Sequence, residues 1–324
     1  MAIGNGASPG RVGQRGKEVL LGIGGTLAFF FSAIFVPMVG LFAGIFTPFP
    51  TLLFFYLWGP PWGYAIPGGA ALVGTLVLAV LNLGQNAPYL LEMLVFGLFL
   101  GFAMRRRWPV ERVVAASTAL VTAIGAFLLW TSLHGTEAGF LKALEEDFGN
   151  SVTSTLQQYG ALSKDHGEMN DAVQRVIPVM VRLFPAIAVS SAILISWVNL
   201  LVTRRYCRNR GVSLPPWGEW SHWKAGESLV WGVIAAGFSL LLPVKMLQLV
   251  GLNVLMVMGT IYLLQGFSIL AFYFERWNLP RALRAFLYAL LFVQQYLALG
   301  AVLLGLFDVW ADFRRLSKKP VEPA

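Results

Sequence analysis

A carboxylate within an apolar tract is costly enough to require a reason, and Glu92 is such a residue. It follows Gln85, Asn86, Pro88 and Tyr89, so a carboxylate and amides together could hold a polar group of ligand size. An interhelical hydrogen bond or a solvated position near the interface is the alternative. Asn82, Asn86, Glu92, Gln265 and Gln294 form the candidate set for binding a small-molecule ligand. Gln294 and Gln295 are adjacent and point in different directions, so at most one faces a shared cavity and helix–helix bonding competes with a ligand role. Asn199 is a further amide within an apolar tract, and Asp308, close to Arg314 and Arg315, reads as an end-of-helix charge pair.

Nothing assembles into a catalytic constellation. His134, His166 and His222 are scattered without metal-ligand spacing, and neither a nucleophile elbow nor a Walker lysine is present. Cys207 is the only cysteine, so it has no partner for an intrachain disulfide or a thiolate metal site. The expectation is a protein that is not an enzyme and carries no cofactor and no metal. Gly22, Gly24 and Gly25 make no dinucleotide fingerprint, because no strand can precede them. Small residues do recur at spacing four, at Gly24, Ala28 and Ser32, at Gly40 and Gly44, and at Gly97 and Gly101. Such faces admit a closely approaching helix, either one of the chain's own or one from a partner subunit.

The elements that position these groups are helices in a bilayer. No Asp, Glu, Lys or Arg occurs from Val19 to Trp58, and 57% of residues are hydrophobic against 12% charged. A spanning helix takes about 20 apolar residues, and the tracts predict an all-α polytopic integral membrane protein of eight or nine transmembrane helices. The net charge of +8 gives no nucleic-acid interface, since the basic residues sit in short connectors between apolar tracts. The expected division is a cytoplasmic tail over 1–18, membrane helices over 19–133, an extracytoplasmic insert over 134–175, membrane helices over 176–310 and a polar tail over 311–324. The first helix is expected over Val19–Phe46 with a bend at Pro37. A short second segment follows over Thr51–Trp58, and later spans over 68–83, 90–104, 110–133, 176–202, 229–247, 252–274 and 286–310. In the insert, Phe140, Leu144, Phe148, Val152 and Leu156 recur every fourth residue, as in an amphipathic helix.

Arg105 to Arg107 and the arginines at 204, 205, 208 and 210 fall on the cytoplasmic side if the N-terminus is cytoplasmic and the short second segment crosses. Arg276, Arg281 and Arg284 fall there too, but the same count sends Arg314, Arg315, Lys318 and Lys319 outside, against the rule. Either a crossing near the C-terminus is miscounted or the last helix is re-entrant or interfacial.

Two patterns carry a resemblance over most of the chain. One runs from Pro48 through Gly63, Gly68 and Gly69 to Glu92, Gly97, Gly101 and Arg105 to Arg107; the other runs from Gln265 and Gly266 through Gly305, Asp308 and Trp310 to Phe313 and Arg314. With these the chain resembles the YybS-like (DUF2232) family of bacterial multi-pass membrane proteins, which has no agreed activity to transfer. The N-terminal half is also similar to the S subunits of energy-coupling-factor transporters and to the cell-shape protein MreD, through a Gly-Pro-x-x-Gly turn matched by Gly59, Pro60, Pro61, Trp62 and Gly63. The likeness to S subunits implies binding or uptake of a small molecule with a coupling subunit docked on the Gly24, Ala28, Ser32 face. The likeness to MreD implies a non-catalytic scaffold for envelope assembly. Both imply the bacterial cytoplasmic membrane, with the lipid bilayer as partner.

Overall fold

The computed structural model describes residues 9–36, 39–133, 145–146, 148–150 and 167–314, and every regular element among them is helical. In chain order these are α1 (Pro9–Phe35), α2 (Val39–Gly44), α3 (Pro48–Trp58), α4 (Ala65–Val80), α5 (Ala87–Arg105) and α6 (Val110–Leu133). They continue with α7 (Gly167–Asn209), α8 (Leu229–Leu241), α9 (Lys245–Arg276), α10 (Arg281–Val293) and α11 (Gln295–Ala311). Among the described residues, six helices are long and apolar enough to cross a membrane, and seven if the pair α10–α11 is one span. The expected eight or nine exceeds this because α3 has 11 residues and α8 has 13, about 17 and 20 Å at 1.5 Å per residue, against a hydrocarbon core of about 30 Å.

Several expected boundaries move, most of all in the first and last helices. The first helix starts at Pro9, before the apolar tract, since the Arg and Lys residues there are good helix formers. It stops at Phe35 and does not continue to Phe46, because the residue before Pro37 disfavours the α conformation. The last expected span is two helices bent by 100° at Gln294, where the backbone turns extended (φ −100°, ψ 100°). Of the amphipathic insert helix, 145–146 and 148–150 are helical and the remainder lies outside the described residues, as do His134 and His166.

The chain forms two compact units. The first holds residues 1–132 and 192–217, and the second 133–191 and 218–324, so that the C-terminal part of α7 groups with α1–α6. In the first unit α3 packs on α5, and α1 on α2, α3 and α4. The reason α3 and α5 can meet is the Gly97, Gly101 stripe: a Cβ at Gly97 would stand 2.6 Å from the Pro48 carbonyl, and one at Gly101 2.9 Å from that of Leu52. Phe30, Ala70, Leu78, Leu90 and Leu94 form the core between α1, α4 and α5. In the second unit α9 is the hub, packed on α8 and α11. Here too glycines set the spacing, since a Cβ at Gly266 would run into the Ala301 carbonyl and one at Gly305 into that of Tyr262.

Overpacking a close helix contact costs about 1–3 kcal/mol. Gly97→Leu and Gly305→Leu are therefore expected to lower the unfolding temperature of the detergent-solubilised protein, while Gly24→Leu, at an exposed glycine with open space around it, leaves it unchanged. Equal losses at all three positions would refute this packing.

Candidate functional site

The second unit encloses a polar ring of which the sequence announces only the pair Asp308 and Arg314. Gln265 and Ser268 are one turn apart on α9, and both are buried. Asp308 lies in the last turn of α11, which ends because Asp312 adopts a left-handed backbone (φ 40°), with its N–H donating to the Asp308 carbonyl at 3.1 Å. That reversal carries Arg314 back beside Asp308. The Arg314 guanidinium donates to Asp308 Oδ2 at 2.8 Å, with both side chains fully buried. Gln265 Nε2 donates to the same oxygen at 3.1 Å, and the Phe313 N–H to Oδ1 at 2.9 Å.

The ring closes through the segment 220–225. Gln265 Oε1 accepts the Ala225 N–H at 3.2 Å. Ser268 donates to the Trp220 carbonyl at 2.6 Å, and Arg314 Nη1 donates to Ser268 Oγ and to the carbonyls of Ser221 and Trp223 at 2.7–2.9 Å. Two helices and a connector are thus held by one buried ion pair whose lone pairs and protons largely meet partners, the condition under which such a pair is tolerated. The C-terminal turn thereby lies next to 220–225, and the Tyr273 hydroxyl donating to the Phe313 carbonyl at 3.0 Å places it near the end of α9. Arg314, expected in a polar tail, is interior because Asp308 and the carbonyls of 221 and 223 draw it in.

Asn253 is a second interior amide that no local pattern marks in the sequence. Its Oδ1 accepts the Ala186 N–H at 3.1 Å and its Nδ2 donates to the Arg182 carbonyl at 3.1 Å. Those are the donor and acceptor of one helical rung beside Pro185, inside α7, where a proline removes an N–H and crowds the preceding turn. The available signal was an amide and a mid-helix proline in separate apolar tracts.

The other sequence candidates separate. Glu92 is half-buried on α5, with Oε1 3.0 Å from where a Cβ on Gly125 of α6 would stand. Asn86, in the same unit, donates to the Leu83 carbonyl at 3.3 Å, and exposed Asn82 (φ 56°) terminates α4. Gln265 belongs to the second unit and to its ring. Gln294 and Gln295 are both exposed at the bend between α10 and α11. Asn199 is fully buried and donates to the Ile45 and Ile195 carbonyls at 2.9 and 2.7 Å. The expected charge pair of Asp308 and Arg314 is present, now joined to Gln265.

The small-residue stripes separate as well. Gly97 and Gly101 are filled by α3, whereas Gly24 and Ala28 are exposed on α1. Ser32 leaves that open face: its hydroxyl donates to the Phe29 carbonyl at 2.7 Å and its backbone is covered by Gly40.

At one end of the first unit the Gly-Pro-Pro-Trp-Gly turn explains itself. Gly59 (φ 64°) lies under the Arg105 guanidinium, which donates to the Tyr56 carbonyl at 3.0 Å, and a Cβ at Gly63 would meet the Phe55 ring at 2.8 Å. The Tyr56 hydroxyl donates to the Ser213 carbonyl, and Trp217 Nε1 to that of Trp108 at 2.7 Å. The connector that follows α7 is thus fastened to the ends of α3 and α5.

A family model described as "Predicted membrane protein (DUF2232)" matches residues 26–309. No curated protein and no solved structure matches the chain.

Replacing Gln265 by Leu would strand the Ala225 N–H and remove a donor from Asp308. An unsatisfied buried group costs about 1–3 kcal/mol, so Gln265→Leu is expected to lower stability by that amount and to open 220–225 to limited proteolysis. Unchanged cleavage would show that the ring does not hold this segment.

Proposed function

Because the chain belongs to the DUF2232 family of predicted membrane proteins, we propose that it is a non-catalytic subunit of a larger assembly in the bacterial cytoplasmic membrane, docking a partner through Gly24 and Ala28. The observation that carries this reading is the open small-residue face on α1. Exposed positions elsewhere on the helices of this unit include large apolar side chains, such as Leu20, Leu72, Leu76 and Phe127, which suit acyl chains. A Gly–Ala hollow instead suits the close approach of another helix.

Two kinds of assembly fit. An uptake system, as the likeness to S subunits implies, would place a coupling subunit on α1 and a small molecule near Glu92; the half-buried carboxylate against Gly125 favours it. A scaffold, as the likeness to MreD implies, is favoured by the interior amides Asn199, Asn253 and Gln265, all bonded to the chain itself.

For topology we propose eight crossings with both termini cytoplasmic. The count takes as crossings α2–α3 together and α8 lengthened by the extended apolar residues from Leu242 to Val244, and takes α10–α11 as a re-entrant pair. The bonds from Arg314 to Ser221 and Trp223 support it, since they return the C-terminal turn to the side of the connector after α7. Arg314, Arg315, Lys318 and Lys319 then obey the positive-inside rule.

Ala28→Leu is expected to lose a partner that wild-type protein retains in affinity purification from native membranes, with insertion and stability unchanged. An ATPase with a coupling protein among the lost species would identify uptake, and envelope-assembly proteins a scaffold. Identical recovery from both forms would defeat the docking face. For the topology, single cysteines at 208 and 318 in a Cys207→Ser background should be labelled only after permeabilisation, and one at 150 without it; the reverse pattern at 318 would remove the re-entrant pair.

A further inference from the structure

The arginines at one end of the first unit are more than a topology signal. Residues 105–112 and 204–210 together hold eight arginines and one carboxylate, Glu111. They are separated by about a hundred residues in the chain and brought together by folding. Arg105 is bonded to the end of α3 through Tyr56, Tyr56 in turn to Ser213, and Trp217 to Trp108. The last turn of α5 and the last turns of α7 therefore finish at a common level. Arg106, Arg107, Arg205 and Arg210 are exposed there. Two of them are steadied by rings of their own helix, Arg106 over Phe102 at 5.2 Å and Arg210 over Tyr206 at 5.0 Å.

Arg107 carries the sharpest signal. It occupies the left-handed position (φ 56°) that ends α5, with its N–H donating to the Met104 carbonyl at 3.0 Å and that of Trp108 to Ala103 at 3.3 Å. That closing position is one where glycine is the residue without steric cost. An arginine there carries a backbone cost that glycine would not.

We propose that this end of the first unit binds the phosphodiester headgroups of anionic phospholipids. The level is right, because the arginines sit where apolar helices end and half-buried Trp108 and Trp217 lie beside them, as aromatic residues do at a bilayer interface. The chemistry is right as well, since guanidinium forks match phosphate oxygens in pairs and anionic lipid draws clustered basic residues at the membrane surface. The occupant follows from charge complementarity and is independent of the docking face on α1.

The test uses the full chain reconstituted in mixed phosphatidylcholine and phosphatidylglycerol bilayers, extracted gently, with retained lipid counted by native mass spectrometry. Wild type should retain phosphatidylglycerol in excess of its share in the bilayer. The combined variant Arg106→Gln, Arg107→Gln, Arg205→Gln, Arg210→Gln should lose that excess. At about 1 kcal/mol for each basic residue, one arginine corresponds to roughly a fivefold change. Arg107→Gly guards against misfolding: it relieves the backbone, so its melting temperature should equal or exceed that of wild type while retention falls. No enrichment in wild type, or equal enrichment in both variants, would overturn the proposal. Displacement of phosphatidylglycerol by inorganic phosphate would also overturn it, by transferring the site to a soluble anion.

Discussion

The ion pair between Asp308 and Arg314 sets the terms for the second unit. A buried charge without a partner is among the most expensive features a helical protein can hold, and in hydrocarbon no water is at hand to relieve it. Once Arg314 is interior, Asp308 must face it and α11 must end in a turn that reverses the chain. Gln265 and Ser268 must then stand where the remaining oxygens and protons can be met. The connector 220–225 supplies the last acceptors and loses its freedom as a result. Close backbone approach at Gly266 and Gly305 is the geometric counterpart, since a bulkier residue at either position would push α11 off α9 and open the ring.

The first unit solves the same problem with little charge. Its helices meet through Gly97 and Gly101, and Asn199 is spent on neighbouring carbonyls. Among the positions it leaves uncovered are the small residues Gly24 and Ala28 of α1 and the arginines that follow α5 and α7.

Much of this was legible in the sequence, and for a physical reason: membrane helices announce themselves through unbroken apolar length, so α4, α5, α6, α7 and α9 overlap the apolar tracts that predict them, whereas α1 lies toward the N-terminal side of its tract and stops before Pro37. The pairing of Asp308 with Arg314 was visible because it is local, six residues apart. Its extension to Gln265 was not, since 43 residues separate the partners and only the packing of α11 on α9 joins them. Likewise Asn253 and Pro185 look unrelated until folding brings the Asn253 amide to the backbone of Arg182 and Ala186. The stripe at Gly24, Ala28 and Ser32 could not be told from that at Gly97 and Gly101 by spacing; the difference lies in which face α3 and α2 cover. The break at Gln294 left only an amide pair in an apolar run, without the proline or glycine that normally marks one.

The central claim is that the buried ring holds the second unit together as a coupled whole, and a double-mutant cycle at Asp308 and Arg314 measures it most directly. Reversible unfolding in mixed micelles would be followed for Asp308→Leu, Arg314→Met and the combined variant. Each single change strands a buried charge and should cost about 3–5 kcal/mol, whereas the apolar pair should cost less than either. Additive losses, with the combined variant the least stable of the three, would contradict the account.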